Sequence, residues 1–171
     1  GKGNTKFSDP NSVEWQLSEK ADCIGNIQTL MDWENPPTSI STRLCYQSMF
    51  DGCTNLTSAP DLPATTLEHG CYESMFQNCT SLTSAPELPA TKLTASCYDR
   101  MFWGCTSLET APALPAKTLA ESCYSNMFHN CTNLTTAPAL PATTLADYCY
   151  NSMFDFCTNL TTAPKLPATV L

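Results

Sequence analysis

From Cys45 to Leu171 the chain writes one 26-residue sentence five times, C-Y-x-x-M-F-x-x-C-T-x-L-x-x-A-P-x-L-P-A-x-x-L, with copies starting at Cys45, Cys71, Cys97, Cys123 and Cys149 and the last cut short at Leu171. A period of this length means a stacked array: one unit cannot bury its own apolar face and buries it against its neighbours. Repeated residues then serve packing, and whatever is specific to the protein must sit in the columns that vary.

Each unit divides into three stretches. In the first, Cys45, Met49 and Cys53 are spaced i, i+4, i+8 and Tyr46 and Phe50 form a parallel pair, which predicts a short helix of about two turns facing inward. The residue before the second cysteine is Gly52, Asn78, Gly104, Asn130 and finally Phe156. Gly and Asn accept the left-handed conformation that ends helices, so Phe156 predicts a locally different end. The second stretch carries Leu56, Ala59 and Leu62 with Pro60 and Pro63, which allows only a brief extended strand; stacked copies predict a parallel ladder at about 4.8 Å spacing. The third returns the chain to the next unit and places Leu67, Leu93, Leu119 and Leu145 in a further buried column. The expected fold class is therefore α/β: a right-handed solenoid of short parallel strands and short helices, its hand following from the chirality of parallel crossovers.

The pattern M-F-x-x-C-x-x-L-x-x-A-x-x-L-P-x-x-x-L resembles the bacterial BspA-type leucine-rich repeat, whose units read A-F-x-x-C-x-x-L-x-x-I-x-I-P. The likeness covers residues 45–171. It departs in the added C-Y-x-x step and in an extra residue at A-P-x-L-P. The resemblance implies a leucine-rich-repeat-like solenoid on a secreted or outer-surface protein of a host-associated bacterium, acting in adhesion and protein binding.

Residues 1–44 lie outside the array and are expected to form an N-terminal cap over the open end of the core. Val13, Trp15 and Leu17 alternate with Glu14 and Gln16 as a half-buried strand does. At the other end, Val170 and Leu171 would leave an apolar face that either pairs with another chain, end to end, or is covered by further chain.

Eleven cysteines admit three readings. Within a helical unit, residues eight apart lie about 12 Å apart, beyond a disulfide's reach, and equivalent cysteines of packed helices would stand at about 8 to 10 Å. Cys53 and Cys79, nearer the strand side, are harder to exclude. A metal site has no C-x-x-C pair and only His69 and His129 to draw on. The favoured reading is the free thiol as a small buried hydrophobe.

Composition narrows function. A net charge of -8 with only 8 Lys and Arg repels phosphate backbones, which argues against nucleic acid, and no run approaches the roughly 20 apolar residues of a membrane helix. No catalytic, cofactor or metal site is expected. His129 stands two residues before Cys131, but the same cysteine recurs in every unit without a histidine. Asp61 and Glu87 share a column that continues Ala113, Ala139, Lys165, a solvated face rather than an acid–base pair. The Asn-x-Thr triplets such as Asn78-Cys79-Thr80 follow from the repeat itself.

What remains is binding. The column after Met-Phe reads Asp51, Gln77, Trp103, His129, Asp155 and is expected to face outward, which makes Gln77, Trp103, His129 and Asp155 the candidate contacts for a protein or glycan ligand. The competing reading lays Trp103 flat over its own helix. The expectation is thus a non-enzymatic, extracellular or cell-surface recognition protein, with a structural spacer region of a larger surface protein as the alternative.

Overall fold

The computed structural model describes residues 17–168. Its backbone hydrogen bonds explain the 26-residue period directly. In the first unit the N–H groups of Leu44, Tyr46, Ser48, Phe50 and Gly52 donate to the carbonyls of His69, Cys71, Glu73, Met75 and Gln77 at 2.8 to 2.9 Å. The intervening N–H groups of Gln47, Met49, Asp51 and Cys53 donate three residues back, to Leu44, Tyr46, Ser48 and Phe50. One amide in two joins the next unit, and the other closes a turn. The same alternation runs through the second, third and fourth units.

This arrangement replaces the short helices expected at Cys45–Cys53 and its copies, so the helical half of the anticipated α/β class is absent from the described residues. A helix consumes its amides internally along i to i−4 bonds. Here half of them are spent on the neighbouring unit, so the chain runs as consecutive turns. Every fourth residue takes a positive φ: Ser48 at 53°, Ser74 at 54°, Arg100 at 54°, Asn126 at 52° and Ser152 at 49° in one column, and Gly52, Asn78, Gly104, Asn130 and Phe156 at 58° to 73° in another. Each sits third in its four-residue turn, where a left-handed residue is required, which accounts for the Ser, Asn and Gly found there. Phe156 does not end its unit differently. It keeps the column's conformation, with φ 61°.

Turns of four residues send two side chains in and two out. Cys45, Tyr46, Met49, Phe50 and Cys53 are all buried, as are their counterparts in the second to fourth units. Buried rings then stack on their equivalents: Tyr46, Tyr72, Tyr98, Tyr124 and Tyr150 at centroid spacings of 5.7 to 6.0 Å, and Phe50, Phe76, Phe102, Phe128 and Phe154 at 5.5 to 5.7 Å. Such near-parallel, offset pairs contribute about 0.5 to 1.5 kcal/mol each beyond the area they bury.

The second stretch is extended, with less strand than the sequence suggests. Strands β1 (Ala21–Asp22) and β2 (Leu56–Ser58) pair in parallel, and elsewhere the units are joined by single bridges, Ser84 to Thr110 to Thr136 and Thr118 to Thr144. The prolines supply the reason, since each removes a ladder donor. Leu62, Leu88, Leu114 and Leu140 point inward and are buried, whereas Leu166 is exposed. In the return stretch Leu67 and Leu119 are buried, and Leu93 and Leu145 only partly so.

Residues 21–44 lie against the first unit and imitate it. Ile27 N–H donates to the Asp61 carbonyl and Ile40 N–H to the Thr66 carbonyl, which places Ile27 and Ile40, both buried, under the leucine columns. Between them runs a 3-10 helix (Ile27–Leu30), whose Asn26 side chain accepts from the Gln28 N–H at 2.8 Å. Gln28 is fully buried, and its amide donates to the Tyr72 hydroxyl at 3.1 Å. The expected strand at Val13 to Leu17, apart from Leu17, and the apolar pair Val170 and Leu171 lie outside the described residues.

Candidate binding surface

All eleven cysteines are free, and all except the half-buried Cys23 are buried. The helix-packing distance used against disulfides does not apply, because the backbones of successive units bond directly. The thiols have another occupation: Sγ of Cys79, Cys105, Cys131 and Cys157 donates to the carbonyl of Phe50, Phe76, Phe102 and Phe128 in the preceding unit at 3.0 to 3.1 Å. Burial pushes the Cys45 thiol up to about 11 and those of Cys71 and Cys123 up to about 12, and raises Cys97, Cys105 and Cys131 as well. Thiolate, the nucleophilic form, is scarce at neutral pH under those conditions. Cys131, two residues from His129, is thus occupied as a packing and donor group.

Among the described residues, no group of three or more His, Cys, Asp or Glu side chains gathers in a way that could hold a metal ion, and no helix is long and apolar enough to cross a membrane. Asp61 and Glu87 are both exposed and border one shallow groove with Leu62, Pro63 and Pro89.

The varying column after Met-Phe splits into a polar and an aromatic half. At the polar end Gln77 Nε2 and Asn78 Nδ2 each donate to the Asp51 carboxylate across 3.5 Å. At the aromatic end Trp103 stacks on His129 of the next unit, ring centroids 4.1 Å apart and planes 28° apart. Their backbones set this contact: the Trp103 carbonyl accepts from Asn78 N–H and the His129 carbonyl from Gly104 N–H, one step of the ladder each. With no helix beneath it, the half-buried Trp103 lies over its neighbour's imidazole, and the Arg100 guanidinium stands 5.8 Å from its ring centre. Arg100 also pairs with Asp99 at 3.2 Å.

Of the four candidate contacts, the structure joins Trp103 to His129, gives Gln77 to Asp51, and leaves Asp155 exposed at the following step. Two participants were missed. Arg100 occupies a left-handed position otherwise held by Ser or Asn, and Phe156, 67% exposed, meets His129 edge-on at 5.1 Å and 62°. The sequence signalled Phe156 by its break in the Gly/Asn column, but that break marks a side chain added to the surface and not a change of backbone. His129 Nδ1 is buried within this group and has no hydrogen-bond partner among the described residues.

Arg100, Trp103, His129 and Phe156 thus form a continuous ridge of one cation and three rings along the third to fifth units, beside a polar stretch at Asp51 and Gln77. Such a ridge can stack against a planar or apolar ligand face. Compared with known proteins, the sequence matches no family model, no curated protein and no solved structure.

Proposed function

We propose that the protein is a non-enzymatic recognition module, a right-handed leucine-rich-repeat-like solenoid capped by residues 1–44, which binds a protein or glycan ligand through the Trp103 ridge. The carrying observation is Phe156. A large aromatic residue in the left-handed region costs about 1 to 2 kcal/mol relative to glycine, and four of the five copies avoid that cost with Gly or Asn. Backbone strain of this kind, which Tyr148 in the same unit shares at φ 56°, points to what the side chain does there. Here the side chain extends the aromatic surface that Trp103 and His129 begin.

The resemblance to BspA-type repeats supports a secreted or outer-surface location in a bacterium. A spacer within a larger surface protein is the second reading, favoured by the uniform ladder geometry of the units.

The two readings separate in a binding screen against glycans and extracellular proteins, run with wild type, Trp103→Ala and Phe156→Asn. A ligand lost by both variants while their thermal unfolding stays cooperative supports recognition. Ligands bound equally by all three chains place the contact elsewhere, and no ligand at all leaves the spacer reading in its place.

A further inference from the structure

In its return stretch each of the first four units exposes two residues in a row before its leucine: Thr65 and Thr66, Thr91 and Lys92, Lys117 and Thr118, Thr143 and Thr144. Threonine is the repeat's usual residue at both places. The second and third units each exchange one threonine for lysine, in opposite columns, so that both lysines line the same groove between those units. Two of the chain's 8 Lys and Arg thus meet at one place on a protein of net charge -8.

The backbone ladder opens at that step. Bridges join Ser39 to Thr66, Thr66 to Lys92 and Thr118 to Thr144, but among the described residues neither a bridge nor a backbone hydrogen bond joins residues 91–93 to residues 117–119. The Leu93 N–H has no acceptor among the described residues, whereas the N–H groups of Ile40 and Leu119, at the same place in their own turns, donate to the following unit at 2.9 and 3.1 Å. Like charges on adjacent steps repel each other. The groove at the opening, about 450 Å³, is lined by Lys92, Lys117, Thr91 and Thr118 together with the apolar Leu93 and Pro115. No carboxylate lines it, and among the described residues neither lysine has an ion-pair partner. Glu87, five residues before Lys92, borders the neighbouring grooves with Pro89 instead.

We propose that this groove binds an acidic glycan, with a sulfate or carboxylate of the sugar chain seated between Lys92 and Lys117. The anion offsets the repulsion of the two ammonium groups and brings an acceptor to a step whose backbone lacks one. Lysine suits the task, since it is a point charge on a flexible stem and imposes no two-pronged geometry on its partner. The surroundings favour a sugar over an acidic peptide. Exposed threonine hydroxyls, which both donate and accept, flank the lysines from Thr65 to Thr144 and match the hydroxyls of a linear sugar chain laid along the array. Leu93 and Pro115 add an apolar face for a ring. A nucleic acid draws its affinity from many phosphate contacts, more than two cations on an acidic surface supply. The groove shares no residue with the Trp103 ridge and does not rest on it.

Titration calorimetry on the full chain at low salt tests it, with short dextran sulfate and oligogalacturonate as probes and neutral dextran and oligoglutamate as controls. At least one of the two acidic glycans should bind, more weakly as salt is raised, and neutral dextran should not bind. The double variant Lys92→Gln, Lys117→Gln should weaken that binding about ten-fold or more, with thermal unfolding unchanged because both side chains are exposed. Lys165→Gln and Trp103→Ala should retain it. The proposal is overturned if neither acidic glycan binds, if Lys165→Gln costs as much as the double variant, or if neutral dextran or oligoglutamate binds as tightly as the acidic glycans. Binding lost with Trp103→Ala and kept by the double lysine variant also overturns it, and moves the glycan to the aromatic ridge.

Discussion

The Cys105 thiol donates to the Phe76 carbonyl 3.1 Å away in the preceding unit, a carbonyl that also accepts the Cys79 N–H. The second cysteine of each unit is thus a packing atom and a donor at once. Replacing it removes both roles in a site with no exposure. Cys105→Ala should cost about 1 to 2 kcal/mol, from a lost sulfur's packing plus an under-used carbonyl. Urea unfolding of the two chains measures it.

Thiol accessibility should follow burial. A small thiol reagent should modify Cys23 first in the native protein, since it alone is half-buried, and reach the other ten after denaturation without any reductant. Thiols that appear only after reduction would show disulfides between units.

Phe156→Asn restores the residue that Asn78 and Asn130 supply at the same place in their units, with φ 58° and 60°. Relief of the left-handed strain should stabilise the chain by about 1 kcal/mol, less whatever the edge contact with His129 contributes. A higher melting temperature together with weaker ligand binding is the expected pair of results.

Gly104 has φ 73°, and a Cβ there would meet Asn78 Oδ1 at 2.6 Å. Any side chain at this φ is strained, as Asn78, Asn130 and Phe156 are in the same column, and at Gly104 the neighbouring Asn78 adds a clash. Gly104→Ala should lose about 1 to 2 kcal/mol, and the double variant with Asn78→Gly should recover part of it.

Acid should stabilise this fold over one range of pH. Burial raises the Asp99 carboxyl above its ordinary range, with Arg100, Asn126 and Ser125 offsetting only part, and burial followed by the charge of Asp99 raises Glu73 in the adjacent unit. Groups whose folded pKa exceeds the unfolded value contribute stability at low pH and lose it as pH rises through the folded pKa. Asp22 acts oppositely: hydrogen bonds from Thr57 and Ser58 lower it, so its contribution fades only below its ordinary value of 3.8. Urea midpoints should therefore rise as the pH falls from neutral toward the ordinary carboxylate range, and Asp99→Asn should flatten that slope.

Cysteine, tyrosine, methionine and phenylalanine at their fixed places in each unit, with the leucines that follow, were legible in the sequence as buried columns because a side chain repeated at a fixed period is held by its equivalents on either side. The left-handed positions were only partly legible: Gly52, Asn78, Gly104 and Asn130 declare one column, whereas Ser48 and Ser74 conceal a second and Leu44, Ser96 and Tyr148 a third behind ordinary residues. Tertiary structure alone decided between helix and turn. Spacing of i, i+4 suits a helix of 3.6 residues per turn and a ribbon of four-residue turns equally, and only the neighbour's row of carbonyls, taking every second N–H, selects the ribbon. The aromatic ridge depended on it as well: His129 and Phe156 are neighbours across two units, one residue out of column, and meet because the ladder sets those units in direct contact with Phe156 turned outward.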